Sequence, residues 1–223
     1  MLAKTLAGAR SQLLGISTDL SNQIRGVMKT FGLVVPKGKG GAFEKNVRAL
    51  LAGETAIAAV ILPLLEAWRA VRARTTELDR RLIASVRQSV VCRLLMTMPG
   101  IGAVTAASYA AAVETPGAFA RSRDVGAWVG LTPRRFQSGE VDYEGHISRR
   151  GDGRLRALLY EAATVLLTRV RADSALRRWG LALKKRLGFK RAATALARKM
   201  AVVLHAMWKS GTAFDVQPGA AAA

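Results

Sequence analysis

Ile57, Ile61, Leu64, Trp68, Val71, Thr75, Leu78 and Leu82 follow one another in alternating steps of four and three residues. That spacing keeps a mostly apolar stripe on one side of an α-helix for about seven turns, and a stripe of this kind must be covered. Two arrangements cover it equally well: an antiparallel helical pair folding back within one chain, or a coiled coil joining two copies. Pro63 lies inside the stripe, has no N–H to donate and is expected to end or kink the helix there.

The rest of the chain has the same helical period. Leu6, Leu13, Leu20, Ile24 and Val27 share one helix face between Leu2 and Phe31, and Gly32 follows as a stop. The stretch "VVPKGKGGAF" breaks the pattern with Pro36, Gly38, Gly40 and Gly41. An all-α chain is expected: an N-terminal helix in 1–35, a linker at 36–42, a coiled-coil-like helical region at 43–91, a helical domain at 92–213 and a flexible tail at 214–223. At most a short hairpin is expected around Phe136 to Ile147.

Composition narrows the partners. The chain has 223 residues, half of them apolar, enough to bury a sizeable core. Thirty-five Lys and Arg against 15 Asp and Glu leave a net charge of +20, which points to a polyanion, with nucleic acid first. No apolar run reaches the roughly 18 residues that a membrane-spanning helix needs. The single Cys92 lies in an apolar neighbourhood, where packing is its expected role, and a chain opening "MLAK" without an apolar leader suits a reducing, cytoplasmic setting.

Three segments carry the candidate chemistry. "MPGIGAV" joins an apolar helix to an alanine-rich one, as in a helix-hairpin-helix, whose glycine amides at Gly100 and Gly102 could meet a phosphate oxygen without reading base sequence. The loop "GLTPRRFQSGEVDYEGHISRRGD", Gly130 to Asp152, gathers Arg134, Arg135, Arg149 and Arg150 around Ser138, His146 and Ser148. From Ser174 to Phe214 there is no acidic residue, while Lys184, Lys185 and Arg186 stand in a row among seven further cations. Solvated faces normally mix charge signs, so this bias favours phosphate contact. Phe119, Val125, Trp128 and Val129 are expected in the core, as are the apolar positions from Leu155 to Leu166, with Arg154 and Arg156 off that face.

In order along the chain, "SNQIRGVMKTFGLVVPKG", "MPGIGAVTAASYAAAV", "RSRDVGAWVGLTPRRFQSGE" and "HISRRGDGRLRALLYEAA" resemble the C-terminal part of insertion-sequence transposases of the IS-one-ten type, also called the IS-one-sixteen or IS-nine-oh-two group. The resemblance runs from the first helix to about Lys209. It implies a helical transposase domain that acts with an N-terminal RNase-H-like domain, which this chain is expected to lack. That domain would carry an acidic DEDD site for Mg²⁺, and no cofactor is expected in this chain. It further implies a serine nucleophile in a Ser-Gly pair shortly after "GLTP", here Ser138, with Glu140 where many relatives have a second glycine. DNA is the implied partner, some relatives are guided by an RNA from the element's own ends, and self-association through the heptad seam is expected.

The residues themselves fit that assignment. A serine hydroxyl attacks a phosphodiester only if one group takes its proton and another neutralises the phosphorane charge. The four loop arginines could meet the second need. Histidine is the side-chain type whose ordinary pKa lies near neutrality, which makes His146 a candidate base, although in the resembled family the base or metal comes from the acidic domain. Ser148 is the competing nucleophile and otherwise reads as a helix N-cap or turn residue. Glu140, Asp142 and Glu144 are too few and too local to build a metal site. Two other classes remain open: a non-enzymatic helix-hairpin-helix DNA-binding protein and an RNA-preferring assembly protein.

Overall fold

A computed structural model describes residues 2–216. Residues 217–223, most of the expected tail, lie outside the described residues. Among the described residues the regular structure is nine α-helices, one 3₁₀ turn and a two-stranded hairpin, so the chain is predominantly α as expected. It divides into two compact units, residues 5–82 and residues 83–216 with the short N-terminal stretch 2–4.

The first unit is built from α1 (Leu2–Thr30), α2 (Gly41–Leu50) and most of α3 (Thr55–Gln88). Helix α1 ends where the sequence places its stop. Gly32, at φ +79°, donates its N–H to the Lys29 carbonyl, and Leu33 donates to Met28, the paired bonds of a Schellman cap. Phe43, Val47 and Leu51, four residues apart, turn one side of α2 into a core made with Ile24 and Met28 of α1 and Ile61, Leu65 and Trp68 of α3. Phe43 is its centre: Trp68 meets its ring edge-on at 5.0 Å, and the Arg25 guanidinium lies 4.3 Å from the ring centroid while donating to the Gly38 carbonyl.

Arg10 near the start of α1 pairs with Asp79 near the end of α3, whereas Ile24 and Met28 near the end of α1 meet Ile61 and Leu65 near the start of α3. The two helices are therefore antiparallel. Ile61, Trp68, Thr75 and Leu82 of the heptad stripe are buried in the chain's own fold, and Ile57, Leu64, Val71 and Leu78 are half-buried. The break expected at Pro63 is absent, since α3 runs through it. Pro63 is exposed, and so is Ala59, the residue whose carbonyl loses its partner, so the missing bond lies on the solvent side of the helix.

The second unit is organised on α9 (Phe189–Ser210), which packs against α4 (Val90–Leu95), α6 (Ser122–Trp128), α7 (Gly153–Thr168) and α8 (Ala175–Leu187). Ala192, Ala193, Ala197 and Ala201 on α9 are fully buried, and such small side chains let neighbouring helices approach closely. Leu196, Met200 and Leu204 fill the remaining space. Helix α5 (Ala103–Val113) is fixed by the Tyr109 hydroxyl, which donates to the Ala201 carbonyl at 2.7 Å, and burial pushes that phenol far above its ordinary range. Val125 and Val129 are buried as expected, but Trp128 lies on the surface, edge-on to Phe119 at 5.4 Å. Helix α6 is too short to bury both sides of its turn.

His205 of α9 has no solvent exposure. Its Nε2 lies 2.9 Å from the Pro116 carbonyl, which can only accept, so the neutral ring carries its proton there and its Nδ1 accepts from the Ser122 hydroxyl at 2.9 Å. The ring thereby joins the 3₁₀ turn at Pro116–Ala118 and the start of α6 to α9. Burial lowers its pKa, the bond to Pro116 opposes the shift, and the Lys209 charge adds to it.

Two measurements follow from these contacts. Phe43→Ala removes the centre of the first core and should cost about 3–5 kcal/mol in chemical denaturation. For His205 the native state binds fewer protons than the unfolded chain just below the ordinary imidazole pKa of about 6.5, so its contribution is complete above that value and is lost as the pH falls below it. Denaturation at about pH 7.5 and about pH 5 should show that loss in the native chain and a smaller one in His205→Gln.

Candidate nucleic-acid interface

The loop between α6 and α7 forms a hairpin. Strand β1 (Pro133–Ser138) pairs antiparallel with β2 (Val141–Ile147), and Gly139 and Glu140 make the turn. The closing pair is Ser138 with Val141, followed by Gln137 with Asp142, Phe136 with Tyr143 and Arg135 with Glu144. Partners directly opposite share a face. Ser138, Phe136, Val141 and Tyr143 therefore lie on one face, and Gln137, Arg135, Asp142 and Glu144 on the other. Every hairpin residue from Pro133 to His146 except half-buried Gly145 is exposed.

The base of the hairpin is held from below. Ser148 donates its N–H to the Thr132 carbonyl at 2.8 Å and Arg149 donates to Gly130 at 3.1 Å. Arg156 on α7 reaches back with Nη1 to the carbonyls of Val129 at 2.9 Å and Arg150 at 3.1 Å. Gly130 and Gly151 have φ of +77° and +78°, and a Cβ on either would sit about 2 Å from a backbone oxygen, of Arg150 and Trp128 respectively. No side chain fits at either crossing. Asp152 caps α7 through the N–H groups of Arg154 and Leu155, so the N-cap expected at Ser148 is four residues further on. Ser148 is instead a rung between the hairpin and the Arg149–Gly130 bond below it.

This geometry separates residues that the sequence groups together. Ser138 stands exposed at the tip. His146 is five residues beyond Val141, about 16 Å along the strand, out of reach of the Ser138 hydroxyl. Arg149 and Arg150 are exposed at the base, further still. Arg134 donates to the Ser148 carbonyl at 3.1 Å, and Arg135 holds Asp142 through two bonds of 2.8 and 2.5 Å. That hydrogen bond raises the Arg135 pKa and lowers that of Asp142, which leaves the carboxylate an acceptor already in use. Among the described residues no three His, Cys, Asp or Glu come together to hold a metal ion.

The other two segments lie in the same unit. Gly102 is exposed at the N-cap of α5 with no side chain capping it, and leaves the first amides of an 11-residue helix open. Gly100 is half-buried against α7, where a Cβ would come within 2.7 Å of the Ala162 carbonyl oxygen. Lys184, Lys185 and Arg186 form the exposed last turn of α8, and Gly188 alone separates it from α9, which opens with Phe189, Lys190 and Arg191. The Lys184 ammonium is 5.6 Å from the centroid of the Phe189 ring. Five cations thus turn one corner, where the carbonyl end of α8 favours the first three. Sequence reasoning missed Arg156, which it placed off the apolar face as one cation among several, and it missed His205. Period counting ranks Arg156 with solvated residues, and it puts His205 on the buried side of α9, one turn after Ala201, without showing that Pro116 and Ser122 partner its ring.

Comparison with known proteins meets this geometry at the hairpin. Residues 92–179, from α4 into α8, match the family described as Transposase IS116/IS110/IS902. The chain is 31% identical over 216 residues to a Pseudomonas aeruginosa protein described as "Probable family 20 transposase", covering 94% of this chain and 63% of that one. It is 32% identical over 215 residues to the transposase for insertion sequence element IS1111A of Coxiella burnetii, covering 92% and 57%. With the transposase for insertion sequence element IS1328 of Yersinia enterocolitica it shares 29% identity over 211 residues, covering 92% and 62%. The chain spans about three fifths of the length of these curated relatives. Among the described residues no helix is long and apolar enough to cross a membrane. Residues 92–179 are thus a domain of the IS116/IS110/IS902 transposase type, within a chain similar along most of its length to proteins named as transposases.

Proposed function

We propose that this chain is the DNA-holding, serine-bearing part of a transposase, and that the Ser138 hydroxyl attacks a DNA phosphodiester during transposition. The observation that carries the reading is the position of Ser138, exposed at the tip of a hairpin fixed at its base, inside the stretch that matches the family. In the step proposed, Ser138 Oγ bonds to phosphorus, the bond to one sugar oxygen breaks, and the departing oxygen takes up a proton. The hydroxyl proton needs an acceptor and the phosphorane needs a cation. Of the groups near the tip, Asp142 is held by Arg135 and His146 stands too far along the strand, which leaves the exposed Glu140 of the turn as the one carboxylate there, and the nearest cation, Arg135, is itself held by Asp142. The cation must come from another part of the transposase, for which the family resemblance supplies an acidic, Mg²⁺-holding domain.

Phosphate contacts are assigned to the open amides at Gly102 and the α5 start, to the exposed Arg149 and Arg150, and to the corner of Lys184, Lys185 and Arg186. Arg134 and Arg135 serve this surface chiefly by holding the hairpin's shape, and Gly100 by seating the α4–α5 connection on α7. A guide RNA and self-association belong to the same reading. The heptad seam is used inside the chain, so a second copy would dock on another surface.

Binding should have little sequence preference and steep salt dependence. A site neutralising about six to ten phosphates loses ~10³ to 10⁵ in affinity for duplex DNA between about 50 and 200 mM salt. Changing Lys184, Lys185 and Arg186 together to Ala should lower the log–log slope by about three, and an unchanged slope would move the contacts elsewhere. For the chemistry, the chain alone should form no covalent DNA adduct. With the N-terminal part of a relative added in trans or by fusion, a gel-shifted adduct should form with Ser138 and not with Ser138→Ala. An adduct that persists in Ser138→Ala would transfer the role to another residue, Ser148 first.

A further inference from the structure

The face of the hairpin that carries Ser138 has no core beneath it. In an antiparallel sheet one face ordinarily packs on the protein interior and takes the apolar residues. Here Phe136, Val141 and Tyr143 share a face and are 45%, 55% and 55% exposed. The rings of Phe136 and Tyr143 are nearly parallel, 16° apart with centroids at 5.0 Å. Gly145 leaves room for this arrangement, because a Cβ there would come within 2.9 Å of the Phe136 ring. The opposite face is closed by the Arg135–Asp142 pair.

We propose that Phe136 and Tyr143 form a stacking platform for an unpaired nucleobase next to the phosphate presented to Ser138. The proposal rests on the reading of Ser138 given above and adds which form of nucleic acid the site takes. The net charge of +20 selects a polyanion over an apolar partner. Flat, exposed rings beside a basic surface bind nucleobases by their π-faces, without regard to sequence. In a duplex those faces are already covered by neighbouring bases, which leaves edges and backbone, so only an unpaired base can use the platform. Ser138 follows Phe136 by two residues on the same strand and face, about 7 Å further along, close enough for a base on the rings to leave an adjoining phosphate beside the hydroxyl. Packing of the two rings on each other would also hold the hairpin together. That role alone asks for no exposed ring surface and makes no distinction between paired and unpaired strands.

The test compares a labelled duplex with the same duplex carrying a short unpaired bubble, by fluorescence anisotropy with the full chain at about 150 mM salt. The bubble should bind at least about fivefold more tightly, the low end of what one stacked base contributes. A 2-aminopurine in the bubble should be quenched on binding. Phe136→Ile with Tyr143→Val keeps β-branched apolar residues that suit a strand and removes both π-faces, and it should abolish the preference and the quenching while leaving duplex affinity unchanged. Tyr143→Phe should keep both. A native chain without bubble preference, or a preference that survives the double substitution, overturns the platform while the proposed DNA binding stands. If the double substitution instead dissociates a dimer in sedimentation, the face joins two copies and the platform is likewise overturned. Absence of any duplex binding at low salt would remove the proposed function together with the platform.

Discussion

The close approach of helices to α9 is the constraint on which the second unit depends. Alanines at 192, 193, 197 and 201 give α9 sides with almost no projecting bulk, so the axes of α6, α7 and α8 can come near at once. That nearness brings backbone and side-chain polar groups within bonding distance: the Tyr109 hydroxyl reaches the Ala201 carbonyl, and His205 joins Pro116 to Ser122. A larger residue in the stripe would push the layers apart and strand these buried polar atoms, at a cost beyond the packing itself. The family match ends at Trp179, partway along α8, yet α7 inside it and α8 across its end pack against α9 outside it. The folding unit is therefore longer than the matched stretch.

The hairpin inherits its position from this framework. The Gly130–Gly151 crossing and the Arg156 guanidinium fix its base on α7, while the two strands above rise without support from any layer. A two-stranded ribbon on its own is marginal in water, and this one is reinforced by one ring pair on one face and one ion pair on the other. The outcome is a firmly anchored stem with an exposed tip.

In the first unit the same economy of contacts decides between two meanings of one sequence pattern. The heptad stripe of α3 could close on a second copy or on its own chain. The Schellman cap at Gly32 and the short α2 return the chain so that α1 lies antiparallel to α3, with Arg10 and Asp79 at one end and the Phe43 cluster at the other. The stripe is then satisfied internally. Pro63 interferes with none of this because the missing bond lies on the solvent side of the helix.

Sequence by itself determined whatever depends on spacing and local stereochemistry: the helical class, the stop at Gly32, the connection at Pro99 to Gly102, the basic run beyond Ser174, and the motifs that resemble the transposase family, while it only allowed for the hairpin in the serine loop. These signals lie within one or two turns of chain, where period and turn chemistry act directly. Tertiary structure alone decided which cations stay available and which are taken by carbonyls or carboxylates. The four arginines of the serine loop stand as two pairs within one 23-residue stretch, yet strand extension carries Arg149 and Arg150 far from Ser138, and hydrogen bonds tie down Arg134 and Arg135. Arg156 and His205 gain their roles only when helices distant in sequence come into contact. A residue's partners across space leave no periodic trace in the chain, because a hydrogen bond to a backbone carbonyl constrains position and not the identity of the residue that supplies the carbonyl.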